Sequence, residues 1–249
     1  MAYELLGYKV SRSSVADITQ IALNQHDCMV INTINPHSYA VSKHDHEFQI
    51  ALNESDILIP DGIGIVLAVR WLWRDRIDRI TGYDLFIEMV STLNGCGSGR
   101  VLFVGSTLDV LGAIQKKLSS DFSNITPYIY SPPYKESFNS DDIENIRNEI
   151  AKVRPDIVFY GLTAPKQEKM INAVGKVDGV KVMSGIGAVF DFYAGKVGRP
   201  ADFWCALGIE WLVRLLGEPK RLWKRTLVSA PVFMFDLVRE VFSKRVLER

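Results

Sequence analysis

Short apolar runs alternate along this chain with longer stretches in which apolar residues recur every three or four positions. The short runs lie at residues 28–34, 56–60, 101–105, 126–130, 156–161 and 180–185. They are rich in Val, Ile, Leu and Phe and are followed by Gly, Pro, Asn or Asp, as strands buried on both faces of a sheet require. The longer stretches, clearest at 37–52, 63–73, 108–120, 140–153 and 166–174, predict helices. Strands separated by helices predict an α/β fold: a Rossmann-like, mostly parallel sheet flanked by helices.

The pattern changes near residue 195. Beyond 189–195 come 203–217, 220–227 and 232–245, all helical in periodicity with no strand between, punctuated by Pro200, Pro219 and Pro231. The expected organisation is a Rossmann-like body over 1–195 and a C-terminal helical appendage over 196–249. Trp204, Trp211 and Trp223 fall in the appendage, interleaved with Arg214, Lys220, Arg221, Lys224 and Arg225.

Charge sharpens this division. The chain as a whole is neutral, with 29 Lys/Arg and 29 Asp/Glu, which argues against a nucleic-acid-coating protein. Residues 199–249 carry ten Lys/Arg and six Asp/Glu, or +4, so the rest carries −4. A basic end on a neutral protein points to a local anionic partner, such as a phosphate group or an anionic membrane surface. Tryptophan among Arg and Lys suits peripheral docking on lipid, and equally suits a core-packed helix with a solvated basic side. An exposed apolar appendage is also a candidate subunit interface, hence a homo-oligomer. No run approaches the roughly 20 apolar residues of a spanning helix. The N-terminus shows no basic segment followed by an apolar one, so no signal peptide is expected. The three widely spaced cysteines, Cys28, Cys96 and Cys205, fit a reducing compartment.

Open α/β sheets bind ligands beyond the carboxyl ends of their strands. Here those ends carry Thr33 and Asn35, then Asp61-Gly62, Gly105-Ser106, Lys166-Gln167-Glu168, and Gly187 followed by Asp191. Asp61 stands out: it follows Ile57-Leu58-Ile59-Pro60 and precedes a predicted helix. A partly desolvated carboxylate facing a cleft suits a general base, while Asp before Gly also suits a helix N-cap or a turn. Residues alone leave both readings open. Gly105-Ser106 could present backbone N–H groups to a diphosphate or be an ordinary capped turn. Lys166 and Gln167 could meet a donor or form a solvated first turn. Arg79 could hold a phosphate or pair on the surface with Asp75 or Asp78. His44 and His46 fall on different helix faces, and no Asp-Xaa-Asp pair follows a strand, so no metal site is indicated. The glycine fingerprint of a dinucleotide site is missing, which argues against a nicotinamide oxidoreductase.

Several of these segments, in order, resemble the WecG/TagA/CpsF glycosyltransferases: Thr33-Ile34-Asn35, Ile59-Pro60-Asp61-Gly62-Ile63-Gly64, Asp78-Arg79-Ile80-Thr81-Gly82-Tyr83-Asp84-Leu85, Val101-Leu102-Phe103-Val104-Gly105 and Gly161-Leu162-Thr163-Ala164-Pro165-Lys166-Gln167-Glu168. Gly187-Ala188-Val189-Phe190-Asp191-Phe192-Tyr193-Ala194-Gly195, Gly208-Ile209-Glu210-Trp211-Leu212-Val213-Arg214-Leu215 and Glu218-Pro219-Lys220-Arg221 continue the match. The resemblance implies a single Rossmann-like domain of the GT-E type and an inverting, metal-independent transferase without a cofactor. It implies a UDP-sugar donor and a polyprenyl-diphosphate-linked sugar acceptor, worked on peripherally at the cytoplasmic face of the bacterial inner membrane. Asp61 is the implied base, with Thr33 and Gln167 on the donor sugar and Arg79 lining the pocket. Arg214, Arg221 and Arg225 are implied to close over the diphosphate. Asn35, Gly105, Ser106, Lys166, Gly187 and Asp191 complete the expected donor site. Thr163 stands where many relatives have Gly, and Arg199-Pro200-Ala201 where many have Arg-Ala-Pro. Ser131-Pro132-Pro133-Tyr134-Lys135 and Ser229-Ala230-Pro231-Val232-Phe233 resemble exopolysaccharide members of the xanthan glucosyltransferase type, which favours UDP-glucose. The alternatives are UDP-N-acetylmannosamine or its uronic acid, as in teichoic acid or common-antigen synthesis, and a non-catalytic nucleotide-sugar-binding assembly protein.

Overall fold

A computed structural model describes residues 2–198, 223 and 227–247. It is α/β, with one eight-stranded sheet. In chain order the strands are β1 (Ala2–Leu5), β2 (Tyr8–Ser11), β3 (Met29–Ile34), β4 (Ile57–Pro60), β5 (Gly99–Gly105), β6 (Ile125–Tyr130), β7 (Ile157–Gly161) and β8 (Val182–Gly185). In space they run β1-β2-β4-β3-β8-β7-β5-β6. All six strands predicted from the apolar runs are present and pair in parallel. The antiparallel β1–β2 hairpin at the edge was not expected. Its strands, Ala-Tyr-Glu-Leu and Tyr-Lys-Val-Ser, are short and partly polar, as an edge allows.

The described helices are α1 (Val15–Asn24), α2 (Pro36–Ser42), α3 (His46–Asn53), α4 (Ile63–Trp73), α5 (Gly82–Gly95), α6 (Leu108–Asp121), α7 (Ser140–Val153), α8 (Lys166–Val174), α9 (Val189–Tyr193) and a final helix, α10 (Ser229–Leu247). One expectation needs correction. The single helix over 37–52 is two, because the Asp45 carboxylate accepts from the Phe48 N–H at 3.0 Å and caps a new start. Asp competes with the helix for backbone donors, and here it resets the chain direction.

Helices cover both faces. On one face Ile31, Phe103, Phe159 and Val182 pack with α1, α5, α6 and α9 around Phe86, Leu111 and Phe190. On the other, α7 and α8 cover Val30, Val158 and Met183, while α2, α3 and α4 cover Ile34 and Leu58. The α10 helix joins this second face. Its Phe233, Leu237 and Val241 are buried, and the Phe233 ring meets Tyr39 edge-on at 5.5 Å. The Tyr39 hydroxyl donates to Asp236 at 2.8 Å, Lys43 pairs with the same carboxylate, and the His37 ring bonds the Ser229 hydroxyl at 2.8 Å. The last predicted helical stretch is therefore docked on α2. The stretch 203–217, most of 220–227, and Arg214, Arg221 and Arg225 lie outside the described residues.

Candidate active site

Parallel pairing brings the carboxyl ends of β4, β3, β8, β7 and β5 to one edge of the sheet. The β3–β4 register sets Thr33 opposite Ile59 and Ile34 opposite Pro60. The chain then turns sharply: the Asp61 N–H donates to the Ile34 carbonyl at 2.9 Å, and the Ile80 N–H donates to the Pro60 carbonyl at 3.0 Å. These two bonds bring the ends of β3 and β4 together with the segment before α5, so that the backbones of Thr33, Asn35, Asp61 and Arg79 share one end of the sheet. All four are half-buried.

The local chemistry explains the turn. Asn35 caps α2, its Oδ1 accepting from His37 and Ser38 N–H groups at 3.0 Å. Pro36 suits the first helical position. Gly62 takes φ +88°, a region that side chains disfavour, and its missing Cβ would lie 3.8 Å from that of Asn35. The N-cap of α4 is Gly62, with no side-chain cap bond, so Asp61 does not serve as the cap. The turn sets Asp61 directly after β4, at the strand-end edge. Arg79 precedes Thr81, which opens α5 in a reciprocal capping box with Asp84. Asp75, one of the surface partners considered for Arg79, takes the Tyr3 hydroxyl and Arg12.

The other half of the edge is closed. Gln167 and Glu168 are 4% and 2% exposed. The Gln167 Oε1 accepts from the Gly187 N–H at 3.0 Å, and its Nε2 donates to Glu168 at 2.9 Å. Burial pushes the Glu168 carboxyl up to about 7, partly opposed by the bond from Gln167. The solvated first turn considered for this segment is thus not what forms. Lys166 is half-buried; its ammonium donates to the Lys135 carbonyl at 2.8 Å and lies 5.3 Å from the centre of the Tyr134 ring. Gly105 registers against Gly161, and the Ser106 carbonyl accepts from the Ser131 hydroxyl at 2.8 Å. Asp191 sits half-buried in the first turn of α9.

Glu168 is the residue that sequence reading undervalued. The spacing 167, 170, 171, 174 is a core-facing stripe, and Gln167, Glu168, Met170, Ile171 and Val174 are all buried. That periodicity was available, but the polarity of Gln167, and of Glu168 beside it, masked it. The α10–α2 contacts were likewise missed, since nothing local links Asp236 to Tyr39. Among the described residues no group of three or more His, Cys, Asp or Glu could hold a metal. Asp45, between His44 and His46, pairs with Lys169 at 2.8 Å. Cys28 and Cys96 are free thiols. No described helix is long and apolar enough to cross a membrane.

Sequence comparison agrees with this geometry. Residues 3–246 match the glycosyl transferase WecG/TagA/CpsF family. A protein of Bacillus subtilis strain 168 is 34% identical over 87% of this chain and 81% of its own length. A second, from Bacillus spizizenii strain W23, is 30% identical over 91% and 85% respectively. A third, from Staphylococcus aureus strain MRSA252, is 28% identical over 89% and 83%. Each of the three is named N-acetylglucosaminyldiphosphoundecaprenol N-acetyl-beta-D-mannosaminyltransferase. Those names favour the N-acetylmannosamine alternative over the expected UDP-glucose and exopolysaccharide reading. A match along nearly the whole chain settles the class: this chain belongs to the WecG/TagA/CpsF family and is a glycosyltransferase.

Proposed function

We propose that this chain transfers N-acetylmannosamine from a UDP-linked donor to N-acetylglucosamine carried on a polyprenyl diphosphate, with inversion and without a metal. The observation that carries the reading is the Asp61 turn: a half-buried carboxylate, not used as a helix cap, bonded through its backbone to β3 and beside the Arg79 segment. The three relatives' names supply the sugars.

In this reading Asp61 takes the proton from the acceptor hydroxyl as that oxygen attacks the anomeric carbon. The bond from that carbon to the UDP oxygen breaks on the opposite face, and UDP leaves with the electron pair. Thr33 and Asn35 border the donor sugar, and Gln167, expected there from the family resemblance, is instead buried behind it with its amide bonded to Gly187 and Glu168. Gly105, Ser106, Lys166, Gly187 and Asp191 border the nucleotide and diphosphate. Arg79, with Arg214, Arg221 and Arg225 from the C-terminal segment, offsets the leaving charge. The α10 helix supports the last part, because its first residue, Ser229, bonds His37 two positions from Asn35. That contact brings the start of α10 beside the cap of α2.

The same surface supports peripheral attachment at the cytoplasmic face. Leu67, Trp71 and Trp73 of α4 are exposed beside Arg70 and Arg74, and Met234, Phe235 and Phe242 of α10 are exposed as well. Apolar and aromatic groups among arginines suit an anionic lipid surface, where the acceptor resides. A homo-oligomer is the competing use of this patch. Sedimentation with anionic vesicles at low and high salt separates the two uses.

The function is tested by offering UDP-N-acetylmannosamine, UDP-glucose and UDP-N-acetylmannosaminuronic acid in competition, with a short-chain polyprenyl-diphospho-N-acetylglucosamine acceptor. Product mass is expected to report N-acetylmannosamine. Exclusive glucosyl or uronosyl product would overturn the donor assignment.

A further inference from the structure

Gln167 and Glu168 form a buried polar pair whose geometry is over-determined. The Gly187 N–H only donates, so it fixes the Gln167 Oε1 toward itself and turns the Nε2 toward the accepting Glu168 oxygen, which leaves the amide one permitted orientation. Its flat face lies against Gly185, where a Cβ would stand 2.8 Å from Nε2, 2.9 Å from Cδ and 3.0 Å from Cγ. The Ile186 and Gly187 N–H groups also reach the Tyr160 carbonyl, at 3.0 and 3.4 Å. On its far side the same loop abuts Gly82, where a Cβ would lie 3.3 Å from the Ile186 carbonyl oxygen. Gly82 opens α5, directly after Arg79, Ile80 and Thr81. A continuous line of contacts therefore runs from Glu168 through Gln167 and residues 185–187 to the Arg79 segment.

Glu168 does not reach the cleft itself. Its second oxygen, Oε2, is sealed from solvent and has no hydrogen-bond partner among the described residues. An atom so enclosed touches neither a sugar nor a diphosphate. A buried carboxylate with one oxygen unsatisfied is costly, and a leucine would fill the space at lower cost. What a leucine would not do is accept from Gln167.

We infer that Glu168 is a positioning residue for sugar transfer: through Gln167 it fixes the backbone of residues 185–187 against the start of α5, and so sets the β8 loop in its working place beside the Arg79 segment. The inference rests on the transferase reading given above.

Three variants of the full chain test it: Glu168→Gln, which keeps an acceptor oxygen in nearly the same shape, Glu168→Leu, which removes it, and Gln167→Leu, which removes the link. Glu168→Gln should keep kcat within about threefold of the parent. Glu168→Leu and Gln167→Leu should lower kcat by about 10- to 100-fold, as small misplacements do. Amide hydrogen exchange over residues 183–190 should rise by about tenfold in both leucine variants and stay unchanged in Glu168→Gln. The exchange readout needs no substrate, so it separates this inference from the transferase reading. Full kcat and unchanged exchange in Glu168→Leu would overturn the positioning role. Raised exchange in a chain that transfers no sugar from any donor would instead leave the positioning intact and sink the transferase reading. A loss of kcat in Glu168→Gln equal to that in Glu168→Leu would show that the charge matters rather than the hydrogen bond, and would also overturn it.

Discussion

Asp61 and Glu168 are both carboxylates near a helix start at the same edge of the sheet, yet their surroundings are opposite. Asp61 is half-buried in a turn made by backbone bonds, and the helix beside it is capped by glycine. Glu168 is 2% exposed, held in a side-chain relay, and pushed up to about 7 by burial. The contrast teaches that polarity at a strand end does not by itself mark reacting groups. One half of this edge offers its polar groups to the cleft, and the other uses them to hold the cleft's shape.

If the closed half is a matter of shape, crowding it should do the most damage to the fold. A Cβ at Gly161 would lie 2.2 Å from Phe190 Cδ2 and 2.4 Å from Cε2, and Phe190 is 2% exposed in the core. Gly161→Ala is expected to destabilise by about 3 kcal/mol, read by chemical denaturation, because a core ring has nowhere to go. An unchanged midpoint would show that this end of β7 is more pliable than described.

The titration of Glu168 gives a second test, with a definite sign. Its folded carboxyl is raised above the ordinary value, so the native state holds its proton more tightly than the unfolded chain. Stability from this group is therefore highest at low pH and is lost as pH rises toward about 7. Glu168→Gln removes the titration. The variant should match the parent near pH 4.5, gain through the interval up to about 7, and then hold a constant advantage of about 3 kcal/mol at most. Parallel stability curves across that interval would contradict a buried, titrating Glu168.

The smallest effect belongs to the open half. Asn35 caps α2 with two backbone bonds at 3.0 Å. Asn35→Ala should cost about 1 kcal/mol and weaken donor affinity, since the cap also orders the residue next to Gly62. A loss of stability with unaltered donor affinity would separate the cap from the site.

Much of this arrangement was legible in the sequence. The six parallel strands, the edge at which their ends gather, and the placing of Thr33, Asn35 and Asp61 at that edge follow from apolar runs and turn residues, whereas Arg79 joined them only through the family resemblance. The helix starts at Ile63, Leu108, Ser140 and Lys166 fall where the periodicity puts them. What could not be read depends on contacts distant in sequence. The β1–β2 hairpin has too few apolar positions to announce itself. The break between α2 and α3 turns on whether Asp45 bonds the backbone or faces solvent. Burial of Glu168 follows only once Gly185 and Gly187 are known to lie over α8. The pairing of α10 with α2 depends on Tyr39 meeting Asp236 across 197 positions.

The most direct test of the account is the Asp61→Asn variant, measured for both turnover and UDP affinity. The change preserves shape and removes the base. Turnover from UDP-N-acetylmannosamine to the lipid acceptor should fall by about 10²- to 10⁴-fold, while UDP binds within about threefold of the parent. Turnover equal to that of the parent would show that the Asp61 carboxylate is not the base, and the open half of the edge would lose its chemical role.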